Sequence, residues 1–269
     1  MTDTPLAGLT VAVFGLGEAG GEIAADLAAA GAAVTGYDPD EVPDPPGVRR
    51  TTDPAAAVTG VDLVLAITAS ADAPGALAQA LGAIPSGAVY ADLATASAGT
   101  RRDLAATAAA SGLAFADVAL MSTVPGKGLR TPSLVSGPGA ARYAELLEPA
   151  ALPLEVVGDE PGVAATRKLL RSVVLKGFAA LLIESLRAAE AAGLAEETWA
   201  NLVAQFSDVD EDFLRRMVEG TDTHAVRRLH EMEATVQLLE ELGTDPVMTT
   251  GTVESLQRAV RDGVEPPPA

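Results

Sequence analysis

Short apolar runs rich in β-branched residues alternate with alanine-rich amphipathic stretches over roughly the first 160 residues. GLTVAVF (8–14), AAVTGYD (32–38), DLVLAIT (62–68), AVYADLA (88–94), LAFADVAL (113–120), PSLVSG (132–137) and PLEVVG (153–158) each have the length and make-up of a strand. Helical patterns fill the gaps: one running through Ala30 and stopped by Gly31, one beginning with GALAQAL at Gly75, one over 99–110, and one between the last two strands. Strands alternating with helices predict a mostly parallel sheet with both faces covered.

The pattern changes at DEPG, residues 159–162, after which no strand is predicted. A helix is predicted from Val163 to about Ala192, closed by Gly193; at 1.5 Å per residue it is about 45 Å long. Leu169, Leu170, Val173, Val174, Phe178 and Leu181 spread apolar surface over nearly every side of it, the signature of a buried helix. Shorter helices are expected near 195–206, 209–218, 223–242 and 252–261, and the tail VEPPPA is expected to fray. DVDED (208–212) reads as a helix start, with acids at the positive dipole end. The organisation is thus an α/β domain over 1–160 and an all-helical domain over 161–269. The second is small and its long helix apolar all round, so a homodimer is expected to bury that surface.

GLGEAG (15–20) fits G-x-G-x-x-G, and here it follows a predicted strand and opens a predicted helix. Gly15 permits the tight turn, Gly17 lets the backbone approach a pyrophosphate, and Gly20 lets helix and strand pack closely. Leu16, Glu18 and Ala19 complete the cofactor loop, and the helix N-terminus faces the phosphates with free N–H groups. This predicts a doubly wound, Rossmann-type dinucleotide domain. Asp38 ends the second strand, 18 residues after Gly20. An acid there bonds ribose hydroxyls and repels the 2′-phosphate of NADP. The next arginine is Arg49, so NAD is favoured and NADP is the alternative. Thr68, at the end of the third strand, is placed in the same cofactor site.

Composition narrows the picture further. The chain has 269 residues, 48% of them hydrophobic, and no apolar run reaches the ~18 uncharged residues a membrane span needs. The start MTDTPLAGLT lacks a basic segment and a cleavable apolar stretch, so a cytoplasmic protein is expected. Cysteine is absent, which excludes disulfides and thiolate chemistry. A formal net charge of −19 repels phosphate backbones, so the expected partner is a small-molecule substrate, not nucleic acid or a membrane. The two histidines, His224 and His230, are six apart and off the face spacing of a paired metal site, so no metal is expected. GVRRTTD (47–53) and TRRDLA (100–105) read as surface charge. Trp199 and Phe206 read as core or interface.

Against fifteen arginines the chain holds three lysines, Lys127, Lys168 and Lys176, and two of them lie in the greasy stretch RKLLRSVVLKG (167–177). At 100° per residue, Ser172 lies 40° and Lys176 80° around the helix from Lys168, a narrow polar stripe. The lysines are about 12 Å apart along the axis, so they can line one cleft but not grip one atom. Helix geometry leaves two readings open. Burial lowers a lysine's pKa and suits it to acid–base work; or both lysines reach solvent along their stems, or pair with acids such as Glu184.

The order of parts resembles the β-hydroxyacid dehydrogenase family, which includes 3-hydroxyisobutyrate dehydrogenase, tartronate semialdehyde reductase and 6-phosphogluconate dehydrogenase. GVAATRKLLRS (162–172) is similar to the family's G-x-G-x-x-x-K-x-x-N-N: Gly162 and Lys168 match, Ala164 replaces a glycine, and Arg171 and Ser172 replace the asparagines. FADVALMSTVPG (115–126) resembles the substrate loop F-x-D-A-P-V-S-G-G, with Asp117 matching and Met121, Ser122 and Thr123 in the last three places. ADLATASAGT (91–100) resembles D-x-S-T-V-S-P near the nicotinamide, with Asp92, Thr95 and Ser97 matching and Ala98 in place of proline. RSVVLKG, HAVRRLHEM (224–232) and the glycine-loop start look like a phosphogluconate dehydrogenase-like branch.

The resemblance implies hydride transfer between a nicotinamide and a small β-hydroxy acid or its semialdehyde. Lys168 is then the general acid/base, and Ser172 orients the substrate oxygen where the family uses asparagine. Ser122 and Thr123 hold the polar end of the substrate, Met121 shapes its pocket, and Lys127 is a loop cation. Lys176 widens the positive field or takes over the chemistry if Lys168 is turned away. His224, Arg227 and Arg228 form a cluster that is either a substrate contact or a solvated helix face. Two alternatives stand beside this reading: an imine reductase of the same architecture, and a non-catalytic dinucleotide sensor with a decayed site.

Overall fold

The computed structural model describes residues 4–268. Eight strands, β1 (Thr10–Phe14), β2 (Ala33–Tyr37), β3 (Arg49–Thr51), β4 (Leu63–Ala66), β5 (Val89–Asp92), β6 (Ala114–Leu120), β7 (Ser133–Ser136) and β8 (Leu154–Val156), form one sheet. Their order is β3-β2-β1-β4-β5-β6-β7-β8. Neighbours pair in parallel except β6 and β7, which run antiparallel. Helices α1 (Glu18–Ala29), α2 (Pro54–Ala57), α3 (Ala73–Ala80), α4 (Ala98–Ala110) and α5 (Ala140–Leu147) provide the connections.

Period-two alternation makes the sheet two-sided. Val11, Val13, Leu63, Leu65, Val89 and Ala91 enter one buried cluster, with Ile23 and Leu27 of α1. Their chain neighbours Ala12, Phe14, Val64, Ala66 and Tyr90 enter the other, with Leu77 of α3 and Leu104 of α4. The strands are therefore buried on both faces, which is why they read as near-continuous apolar runs. The chain leaves β1 in one direction to β2 and β3, and returns on its other side to β4. The carboxyl ends of β1 and β4 thus flank the crevice where open α/β sheets bind ligands.

All seven expected strands form, and an eighth joins them. Arg49–Thr51, read as surface charge, pairs with β2 as the edge strand β3. Three residues with two arginines carry no apolar alternation. Pairing stabilises them because Arg49 donates to the Thr35 hydroxyl at 3.0 Å and Arg50 is tied to the loop after β2.

The long helix α6 spans Val163–Ala191. The chain divides into two compact units after Arg171, so the first turns of α6 belong to the sheet unit. The unit from Ser172 onward holds the rest of α6, α7 (Ala195–Phe206), α8 (Glu211–Glu241) and α9 (Val247–Asp262). The two helices expected over 209–218 and 223–242 are one, interrupted only by non-helical backbone at His224 (φ −122°, ψ 21°). Asp210 caps its start, accepting from the Phe213 N–H at 2.7 Å. Helix α9 starts five residues earlier than the pattern suggests because its cap comes from elsewhere. Glu184 of α6 accepts from the N–H groups of Met248 (2.6 Å) and Thr249 (2.9 Å) and from the Thr249 hydroxyl (2.6 Å).

Along the sequence α6 carries an apolar surface to be buried, with a second copy expected to cover it; in the single chain Leu170, Val173 and Val174 are 66%, 71% and 67% exposed. An apolar surface all round a helix marks what must be covered, but not by which chain. No helix among the described residues is long and apolar enough to cross a membrane.

Candidate active site

The glycine turn joins β1 to α1. Gly15 has φ +86°, open to glycine at little cost, and its N–H donates to the Tyr37 carbonyl at 2.9 Å. A methyl group on Gly15 would strike the Ile67 carbonyl oxygen, and one on Gly20 would strike the Gly15 carbonyl oxygen. These two glycines are required by packing alone. Gly17, the N-cap of α1, is different: a methyl group there would meet nothing within 4 Å. Its missing side chain leaves open space in front of a helix N-terminus, where a diphosphate fits. Glu18 is exposed in the first turn of α1, while Ala19 packs against the core.

Asp38 closes the turn from the other side. Its carboxylate accepts from the buried Leu16 N–H at 2.6 Å and from the Asp40 N–H at 2.9 Å. Gly15, Gly17, Asp38, Asp40, Thr68 and Asp72 line part of a cavity of about 510 Å³. Three aspartates on its wall disfavour a further phosphate there. The Arg50 guanidinium is engaged beside it, pairing with the Asp44 carboxylate at 3.3 Å and donating to the carbonyl oxygens of Asp38, Asp40 and Val42.

The second group of residues lies where α6 meets the sheet. Lys168, half-buried, donates through Nζ to the hydroxyl of Thr95 at 2.9 Å, on the loop after β5. One turn further, Arg171 donates to the Met121 carbonyl at 2.6 Å. Lys127 reaches Ser122, bonding its hydroxyl, and Thr123 beside it is exposed. The loop carrying Lys127 is held to α1 by two carboxylates one turn apart: Glu22 accepts from the Gly126 N–H and Asp26 from the Leu129 N–H, each at 2.9 Å. Ser172 and Lys176 belong to the second unit. Ser172 is half-buried and Lys176 is exposed in the single chain. Glu184, one suggested lysine partner, is occupied as the α9 cap.

Beneath this group lies a network that sequence reading missed. TRRDLA was read as surface charge, yet Arg101 is 1% exposed, between Asp92 and Asp117 at 0% each. Its guanidinium bonds Asp92 Oδ1 and the Ala94 carbonyl oxygen, and its Nε lies 3.1 Å from Asp117 Oδ1. Asp92 Oδ1 also accepts from the Ala94 N–H at 2.9 Å. The other oxygen of Asp117 accepts from the Gly162 N–H (3.0 Å), the Ala165 N–H (3.2 Å) and the Ser136 hydroxyl (3.1 Å). Ser136 Oγ in turn accepts from the Ala164 N–H at 3.0 Å. Asp117 and Ser136, both on the sheet, thereby satisfy the N-terminal amides of α6. Burial pushes the Asp92 carboxyl above its usual range, against the pull of Arg101. Asp92 and Asp117 were placed by resemblance in the substrate and nicotinamide loops; their side chains face the interior and hold those loops.

Among the other sequence candidates, Arg227 pairs with Glu231 on its own helix, and Arg228 bonds the Thr221 hydroxyl. His224 and His230 line an open groove of about 950 Å³ within the helical unit. No group of three or more residues able to hold a metal ion occurs among the described residues.

Residues 10–149 match the NAD binding domain of 6-phosphogluconate dehydrogenase, and residues 189–259 match a domain of unknown function, DUF1932. An uncharacterized 28.5 kDa protein of Methanothermus fervidus is 31% identical over 108 residues, 40% of this chain and 43% of the relative. The match therefore spans less than half the length of that curated relative. A conserved protein of solved structure, described as similar in structure to 3-hydroxyacid dehydrogenases, is 29% identical. That alignment covers 95% of this chain and 99% of that one, with a TM-score of 0.60. The imine reductase of Streptomyces aurantiacus is 23% identical over 96% of each chain, with a TM-score of 0.74, and so shares the fold.

Proposed function

The chain belongs to the family of the 6-phosphogluconate dehydrogenase NAD binding domain, in the β-hydroxyacid dehydrogenase-like superfamily; this supports an NAD(P)-dependent oxidoreductase, and we propose that it acts on a small β-hydroxy acid or its semialdehyde with Lys168 as general acid/base. The observation that carries this reading is the Lys168–Thr95 hydrogen bond. It sets an amine beside the carboxyl end of β5, on the same sheet edge as the glycine turn.

Bound dinucleotide supplies the acceptor or donor of the hydride. The residues of this chain handle the proton and the position of the substrate. In oxidation Lys168 Nζ takes the proton of the substrate hydroxyl; in reduction it returns a proton to the carbonyl oxygen. The Thr95 hydroxyl accepts from Nζ and fixes its direction. Ser122, Thr123 and Lys127 bind the acidic end of the substrate, and Arg171 holds the Met121 carbonyl so that this loop keeps its place. The acid Asp38, with Asp40 and Asp72 nearby, favours NAD over NADP.

The first test is calorimetric titration with NADH and NADPH separately. Binding of NADH at least about tenfold tighter supports the reading of Asp38. Tighter NADPH binding overturns that preference, and binding of neither overturns the oxidoreductase assignment. A panel of β-hydroxy acids and cyclic imines then tests the substrate class. Turnover of imines alone points to an imine reductase, and cofactor binding without any turnover points to a sensor.

The exposed apolar side chains of α6 support a second copy of this chain as their cover. A 29-residue helix offers the same patch to each copy, as an isologous dimer requires. Sedimentation of the Val174→Glu variant tests it: a shift from dimer to monomer is expected, and a parent protein that sediments as a monomer overturns it.

A further inference from the structure

We infer that Arg101 is a positioning residue on which both partners of the Lys168–Thr95 pair depend. The inference rests on the reading of Lys168 as acid/base and adds what holds that lysine in place. One arm of the network runs from Arg101 to the Ala94 carbonyl and through Asp92 to the Ala94 N–H. It thereby grips the residue directly before Thr95. The other arm runs from Arg101 to Asp117, which accepts the Gly162 and Ala165 N–H groups at the start of α6. Lys168 is three residues beyond Ala165, about one turn along a rigid helix. A single guanidinium therefore fixes the acceptor of the Lys168 hydrogen bond from one side and its donor from the other.

The chemistry suits arginine. Its planar fork serves two carboxylates and a carbonyl oxygen in different directions at once, which a lysine ammonium on a flexible stem does not reproduce. Asp117 stands at the positive end of the α6 dipole, where an acidic side chain is favoured. Removal of the cation alone would leave both carboxylates buried and uncompensated, at a cost to folding. The informative changes are therefore the conservative ones.

The experiment uses the rarity of lysine. Reductive methylation with 13C-formaldehyde labels the side chains of Lys127, Lys168 and Lys176, and the signal missing from Lys168→Met identifies Lys168. The expected result for Arg101→Lys is a shift of the Lys168 signal towards those of the exposed lysines. Lys127 and Lys176 stay in place, and NADH affinity stays within about twofold of the parent. Asp117→Asn keeps the volume and is expected to move the same signal; it carries the test if Arg101→Lys does not fold. With a β-hydroxy acid that the parent oxidises, kcat should fall by up to about 100-fold, more than KM rises. An unmoved Lys168 signal in a folded variant overturns the inference. Full turnover by Lys168→Met overturns the acid/base reading instead, and leaves the signal shift standing.

Discussion

Lys168 and Thr95 lie 73 positions apart in the chain and are joined by a 2.9 Å hydrogen bond. The donor stands on a helix that begins after the sheet is complete, and the acceptor on a loop inside it. Both ends are set by the same buried cation, Arg101. The glycine turn opens on the same edge of the sheet. The candidate chemistry is thus assembled by strand order, which brings the carboxyl ends of β1, β4 and β5 side by side.

Replacement of Lys168 by methionine keeps the stem and removes the amine. Turnover of a confirmed substrate should fall by about 10²- to 10⁴-fold, the range for loss of a positioned acid/base. NADH affinity should hold, since the glycine turn is untouched. Steady-state kinetics beside calorimetry separates the two effects. Loss of cofactor binding together with turnover would mean that Lys168 serves the cofactor and not the proton.

The glycines of the turn divide by what surrounds them. Gly17→Ala meets open space, so the variant should melt within a degree or two of the parent, as surface changes usually do. It should nevertheless lose most NADH affinity, because the methyl group occupies the diphosphate's place. Gly20→Ala drives a methyl group into the Gly15 carbonyl and should lower stability first, by about 1–3 kcal/mol. Thermal melts with NADH titrations distinguish them. Unimpaired NADH binding by Gly17→Ala would move the diphosphate elsewhere.

Asp38→Asn removes a charge and keeps the shape. Its amide oxygen can still accept from Leu16, so the turn should hold. Discrimination against NADPH should weaken by about tenfold, read as the ratio of the two affinities by calorimetry. An unchanged ratio would assign selectivity to Asp40 or Asp72, which share the cavity wall.

Much of this was legible along the chain, for a physical reason. A strand buried on both faces is a continuous apolar run, and a glycine turn under steric pressure cannot be anything else. What stayed hidden depends on contacts distant in sequence. Arg49–Thr51 becomes a strand only because β2 is beside it. Arg101 has the neighbours of a solvated arginine in sequence and the neighbours of a buried one in space. Two carboxylates, nine residues before and sixteen after it, meet it from adjacent strands β5 and β6. The one available signal was Asp92 at the end of an apolar strand and Asp117 in the middle of another, where a buried acid requires a cation. The exposed face of α6 was legible as a surface to be covered, but an apolar helix does not say which chain covers it.

Glu184 makes the stability of the helical unit depend on pH. Burial pushes its carboxyl up, but hydrogen bonds from the Thr249 hydroxyl and the Met248 and Thr249 amides outweigh burial and hold it below the usual range. A carboxylate whose folded pKa is depressed contributes stability above its unfolded value, near 4.5, and loses it as pH falls through the lower folded value. Glu184→Gln keeps one acceptor oxygen and lacks the charge, so at pH 7 it should cost about 1–3 kcal/mol. The gap between parent and variant should then close progressively below about pH 4.5 as the parent's own carboxylate takes up a proton. Trp199, the only tryptophan, lies on α7 in this unit, so its fluorescence in urea titrations at several pH values follows the unit directly. A gap that stays constant from pH 7 to pH 3.5 would show that Glu184 acts through its shape and not its charge, and the cap would not be the acid-labile element of the unit.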